Sequence, residues 1–144
     1  MAAALEEARI AHSNGQCPVG AVLVKDGQII ARAGNRERDL HDPTAHAEIL
    51  VLRQAGQALK SHKFPDCTVY TTLAPCPMCE NALLQAEIPR IVFGARSFNW
   101  VTKVRFAATN LERIGPISEQ DCRTLFIRWL EETGRTEILD AEGL

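Results

Sequence analysis

Apolar and polar positions alternate between two periods along this chain. In residues 2–13, Ala4, Leu5, Ala8 and Ala11 recur at helical spacing, and Asn14-Gly15 supplies a stop. Residues 19–24 (VGAVLV) and 28–32 (QIIAR) are β-prone runs on either side of Asp26-Gly27, a hairpin-turn dipeptide. A polar loop over 35–44 leads into a predicted helix over 45–62, with Ile49, Leu50, Leu52 and Leu59 along one side. Residues 67–73 (CTVYTTL) read as a strand that Pro75 ends. Helical spacing returns over 76–86, and 88–93 (IPRIVF) is a further strand, closed by Gly94. After a stretch of weak periodicity, 118–132 form a helix with Ser118 and Asp121 at its N-cap and first turn. A short last helix is expected over 136–141, after Gly134.

Strand–helix–strand alternation implies parallel pairing with right-handed crossovers, whereas the hairpin is antiparallel. The expected fold is therefore α/β: three layers, α/β/α, around a central mixed sheet. No repeat, low-complexity tract or Gly/Ser/Pro-rich linker divides the sequence, so residues 1–144 read as a single domain.

Composition narrows the class. With 144 residues, 46% hydrophobic and 24% charged, the chain is ordinary globular material. A chain of this size buries about two thirds of its unfolded surface, enough for a core without disulfides. Sixteen basic against 18 acidic residues give a net charge of −2. That argues against binding held mainly by nucleic-acid phosphates, although a local basic patch is compatible with it. No apolar run is long enough to span a bilayer, and residues 1–15 lack a secretory pattern. A cytoplasmic protein with no membrane partner is expected. Five cysteines without framework spacing point to a reducing compartment and to metal or catalytic use.

The candidate chemistry lies in two short segments, Thr44-Ala-His46-Ala-Glu48 and Pro75-Cys76-Pro-Met-Cys79. Each is weak alone, but each opens a predicted helix near a sheet end, so the two can meet. Cys76 and Cys79 lie on one side of a first helical turn, whose N-terminus favours thiolates. With His46 they make three zinc ligands, and a catalytic zinc keeps its fourth position for water. Cys67, at the far end of its strand, lies roughly 20–30 Å from Cys76 at about 3.3 Å per residue and cannot close the site. Glu48 is better placed to handle a proton of the water than to bind metal. Cys17 and Cys122 are unplaced, and His12, His41 and His62 read as surface residues.

These segments match the zinc-deaminase signature H-x-E…P-C-x-x-C. The chain resembles the cytidine/deoxycytidylate deaminase superfamily over nearly its whole length. HDPTAHAEI and VLRQAG look like bacterial tRNA adenosine deaminases, while TVYTTLAPCPMC, EIPRIVFG and the C-terminal region look more like yeast-type cytosine deaminase. The resemblance implies the cytidine deaminase-like fold, a Zn2+ cofactor on His46, Cys76 and Cys79, and Glu48 as the proton-transfer residue. It also implies that Asn35 hydrogen-bonds the base, that Asp140 closes over it, and that backbone N–H groups near Ala47 and Cys76 hold substrate or water. Glu137 stands where the yeast-type enzyme has an aromatic residue, and could offer a second acceptor. Phe98 and Trp100 could wall a base pocket or serve a core or dimer interface.

Residues 131–144 hold Glu131, Glu132, Glu137, Asp140 and Glu142 against Arg135 alone. RNA binding calls for a basic surface. The expected activity is therefore hydrolysis of a small free base, cytosine to uracil in pyrimidine salvage, by a homodimer with nucleic acid disfavoured as a partner. The alternatives are a tRNA adenosine deaminase, or deamination of isocytosine, guanine or creatinine.

Overall fold

The computed structural model describes residues 1–96 and 110–142, the last three of these as backbone only. Among the described residues, β1 (Gly20–Lys25), β2 (Gln28–Gly34), β3 (Cys67–Leu73), β4 (Arg90–Ala95) and β5 (Glu112–Ile114) form one sheet in the order β2-β1-β3-β4-β5. β1 runs antiparallel to both β2 and β3, whereas β3, β4 and β5 pair in parallel. The hairpin turns at Asp26 and Gly27, both with positive φ (50° and 74°), as a two-residue turn matching strand twist requires.

Helices cover both faces. On one, Ala21, Leu23, Val69 and Ile91 pack with Ala47, Val51 and Ala55 of α3 (Ala47–Leu59) and Leu83 of α4 (Pro77–Gln85). On the other, Leu5 of α1 (Ala2–Ser13) joins Leu73, Ala95, Leu139 of α6 (Glu137–Glu142), and Cys122, Phe126, Trp129 and Leu130 of α5 (Glu119–Glu132). Two glycines allow that second layer to sit close. A Cβ on Gly20 would stand 2.0 Å from the Ala4 carbonyl oxygen, and one on Gly94 would stand 2.3 Å from Cys122 Sγ.

The expected three-layer fold is present, with instructive differences. β4 runs through Gly94 instead of stopping there, because that glycine admits α5 against the strand. The loop over 35–44 contains a one-turn helix, α2 (Glu37–Leu40), ended by His41 in the left-handed region. α3 is shorter than the 45–62 expected, since Lys60 turns left-handed (φ 51°) and stops it. β5 was not expected: its three residues are all exposed and carry no apolar alternation. No helix among the described residues is long and apolar enough to cross a membrane.

Strand direction fixes where the site lies. β2 and β3 are each antiparallel to β1, so their C-terminal ends and the start of β1 share one edge of the sheet. Open α/β sheets present their ligand crevices at such strand ends.

Candidate active site

At this edge the N-termini of α3 and α4 converge. His46 is the N-cap of α3 and Cys76 the N-cap of α4, both with extended backbone. Cys79 follows one turn into α4. His46 Nδ1 lies 3.6 Å from Cys76 Sγ and 3.4 Å from Cys79 Sγ, and the three donor atoms all lie within 4.8 Å of one another. Zinc bonds of about 2.3 Å to sulfur and about 2.0 Å to nitrogen, at tetrahedral angles, give a sulfur–nitrogen edge of roughly 3.5 Å. The donors stand at that spacing, so the residues fit a zinc ion. Among the described residues they number three, as in catalytic zinc sites.

Without metal the three groups share protons unequally. Hydrogen bonds from Cys79 and then from His46 pull the Cys76 thiol down to about 4, against its partial burial. Cys79 is pushed up, by donating a hydrogen bond to Cys76 and by burial. His46 is raised to about 9, chiefly by Cys76. A divalent cation bound there would displace the protons these three groups share.

Glu48 sits in the first turn of α3 and is 3% exposed. Its Oε2 lies 3.6 Å from Cys79 Sγ, and Oε1 accepts a hydrogen bond from the Thr71 hydroxyl at 3.4 Å. Burial pushes its carboxyl above the usual range, opposed by its own backbone N–H and by His46. A carboxyl so placed readily takes up a proton.

A cavity of about 270 Å³ opens beside these groups. Asn35, Glu37, His46, Glu48 and Cys76 line it, together with Phe126, Trp129, Arg135 and Ile138. Asn35, 3% exposed, donates from Nδ2 to Glu37 Oε2 at 2.7 Å. Ala47 is fully buried in the core and is not among the cavity-lining residues. Glu137 is exposed and is not a lining residue; its neighbour Ile138 is. Asp140 lies in α6, but its side chain, like Phe98 and Trp100, falls outside the described residues. Cys67 is buried at the start of β3 and Cys122 lies beneath Gly94. Cys17 lines the cavity, and burial pushes its thiol up to about 12.

Sequence reasoning missed Glu37, Trp129 and Arg135. The guanidinium groups of Arg135 and Arg38 lie 5.1 and 5.7 Å from the Trp129 ring centroid, within cation–π range. The tryptophan was legible as a buried position of α5, and Arg135 as the one cation of its segment. Their convergence was not.

Residues 1–131 match the family model of the MafB19-like deaminases. The chain is 51% identical over 96 residues to a tRNA-specific adenosine deaminase of Agrobacterium fabrum, covering 67% of this chain and 63% of that protein. The aligned stretch thus spans less than two thirds of that relative's length. A solved structure from a study of A-to-I editing by tRNA:A34 deaminases superposes with a TM-score of 0.78 at 38% identity, over 87% of this chain and 96% of that one. Guanine deaminase from Bacillus subtilis gives a TM-score of 0.62 at 39% identity, over 65% of this chain and 60% of that one.

These relatives correct two expectations. The cytosine-type free-base substrate is overturned, and so are a small-molecule partner and the disfavouring of nucleic acid, because the curated relatives at 44–51% identity are named as tRNA adenosine deaminases and none as a cytosine deaminase. The error lay in treating the charge of residues 131–144 as one quantity. Glu131, Glu132 and Glu137 are exposed, and Glu132 is paired with His12 and Arg128, while Arg135 lines the cavity. Taken together, the sheet order, the His/Cys/Cys centre and the match over residues 1–131 establish that the chain belongs to the MafB19-like deaminase family, within the cytidine deaminase superfamily.

Proposed function

We propose that the protein is a zinc-dependent hydrolase that converts adenosine to inosine in tRNA, at the wobble position. The observation that carries this reading is the 51% identity to a tRNA-specific adenosine deaminase. The cavity wall supports it: Trp129 and Arg135 both line the cavity, and the Arg135 and Arg38 guanidinium groups lie over the Trp129 ring, which puts positive charge against an aromatic wall. Enzymes that act on a base in RNA hold it by stacking and meet its phosphates with cations.

In this reading His46, Cys76 and Cys79 hold zinc, and Asn35 hydrogen-bonds the base. Zinc supplies Lewis acidity that lowers the pKa of a water to about 7. Glu48 takes a proton from the attacking water and passes it to N1 of the adenine ring as the oxygen bonds to C6. It then carries the second proton to the amino nitrogen as the C6–N bond breaks. Adenosine and water become inosine and ammonia. The buried carboxyl of Glu48 suits both proton acceptance and return.

The test is to incubate zinc-loaded protein with an anticodon stem-loop bearing adenosine at the wobble position, digest the RNA and quantify inosine. Free adenosine and guanine are run in parallel. Inosine formed in the stem-loop, with little turnover of the free compounds, is expected. Guanine deamination without RNA editing would overturn the proposal.

A further inference from the structure

Glu37 is absent from the signature motif, yet it touches two residues of the site at once. Its Oε1 lies 3.4 Å from His46 Nε2, and its Oε2 accepts from Asn35 Nδ2 at 2.7 Å. Each contact has a chemical reason. His46 turns Nδ1 towards both cysteine sulfurs, so a metal bound there leaves its one ring proton on Nε2, facing the carboxylate. A carboxylate can only accept, so Asn35 must present its NH2 to Glu37 and keep its carbonyl oxygen free. One side chain thereby sets the tautomer of a metal ligand and the amide orientation of a base-contacting residue.

The surrounding segment holds Glu37 in place. The Asn35 N–H donates to the Val19 carbonyl and the Arg36 N–H to the Ala45 carbonyl, both at 2.9 Å. Glu37 opens α2, where the Arg38 N–H donates to Gln16 Oε1 at 3.0 Å. Arg36 is engaged by Asp39 at 3.0 Å and so is held by a different carboxylate.

We propose that Glu37 is a positioning residue that couples the metal centre to the base-binding asparagine. This inference rests on reading His46, Cys76 and Cys79 as a zinc centre. Carboxylates behind metal-bound histidines typically contribute about 10–100-fold in metal affinity. Glutamine at this position keeps the length but offers one oxygen where two are needed, so it can serve Asn35 or His46, not both.

The experiment compares wild type with Glu37→Gln and Glu37→Ala. Zinc affinity is read by chelator competition, the Co2+-substituted visible spectrum reports ligand geometry, and KM is measured on the stem-loop. Both variants should bind zinc about 10–100-fold more weakly, alter the Co2+ spectrum and raise KM. Because Glu37 is partly exposed in a single helical turn, the circular dichroism of the metal-free variants should match wild type. Zinc affinity within about twofold of wild type and an unchanged Co2+ spectrum in both variants would overturn the coupling. Wild-type protein that binds neither ion would overturn the zinc reading itself and this inference with it. An active wild type with unaltered variants would remove Glu37 alone.

Discussion

Thr71 and Glu48 meet across the junction of β3 and α3: the threonine hydroxyl donates to Glu48 Oε1 at 3.4 Å, and both side chains are buried. The contact anchors the proposed proton carrier to the sheet, so the carboxyl does not depend on its own helix for orientation. Glu48→Gln should bind zinc normally and lose about 10²–10⁴ in rate. Its melting temperature should equal or exceed wild type, because it removes a buried ionisable group. Thr71→Val keeps the shape and deletes the donor. Its loss should cost about 1 kcal/mol at most, or roughly fivefold in kcat. Single-turnover kinetics on the stem-loop and thermal melts check both, and a Glu48→Gln variant with normal turnover would remove Glu48 from the mechanism.

The metal-free protein should single out one thiol. Cys76 is held down to about 4, whereas Cys67 and Cys122 are raised to about 11 and Cys17 to about 12. Between pH 6 and 8 Cys76 is already a thiolate, so its alkylation rate should be flat instead of rising about tenfold per pH unit. Iodoacetamide followed by peptide mass spectrometry should find the label on Cys76, and added zinc should protect it. Labelling spread over Cys17, Cys67 and Cys122 at comparable rates would contradict the thiolate assignment.

Close packing over the sheet gives a stability prediction. Gly94→Ala places a methyl group 2.3 Å from Cys122 Sγ and 2.8 Å from the Thr72 carbonyl oxygen, and overpacking of this kind costs about 1–3 kcal/mol. Gly20→Ala should cost more, since its nearest neighbours are the Ala4 carbonyl oxygen at 2.0 Å and the Ala8 backbone nitrogen at 2.5 Å, both fixed in α1. Urea denaturation measures the two. Cys122→Ala should recover part of the Gly94→Ala loss and none of the Gly20→Ala loss.

Arg135→Ala should separate RNA from metal. The guanidinium stands over Trp129 at the cavity wall, so its loss should raise KM for the stem-loop roughly tenfold and flatten the salt dependence. Zinc content should not move. Unchanged KM across a salt series would place the phosphate contact elsewhere.

Much of this was legible before any coordinates. The strand at 67–73 was readable to the residue because alternating β-prone side chains end at Pro75. His46, Cys76 and Cys79 could be grouped because both helices begin where strands end. What escaped was relational. β5 carries no apolar alternation, since its exposed residues sit at the sheet edge. Gly94 looked like a terminator because the need of α5 for close approach is visible only in three dimensions. Glu37 sat in a polar run that any turn would use. The acidic tail misled because composition adds charges that the fold points in different directions.

The two hydrophobic clusters on opposite faces of the sheet carry a consequence for how such a protein can change. His46, Glu48 and Cys79 ride on α3 and α4, the helices of the first cluster, whereas Phe126 and Trp129 belong to the second and Ile138 packs against it. The zinc-ligand helices are therefore anchored in one layer and Trp129 and Ile138 in the other, and both layers reach the cavity. Substitutions at Trp129 or Ile138 should combine additively with those in the far layer in their effects on stability. The part of the cavity wall carried by the second layer can thus vary residue by residue without disturbing the layer that carries His46, Glu48 and Cys79.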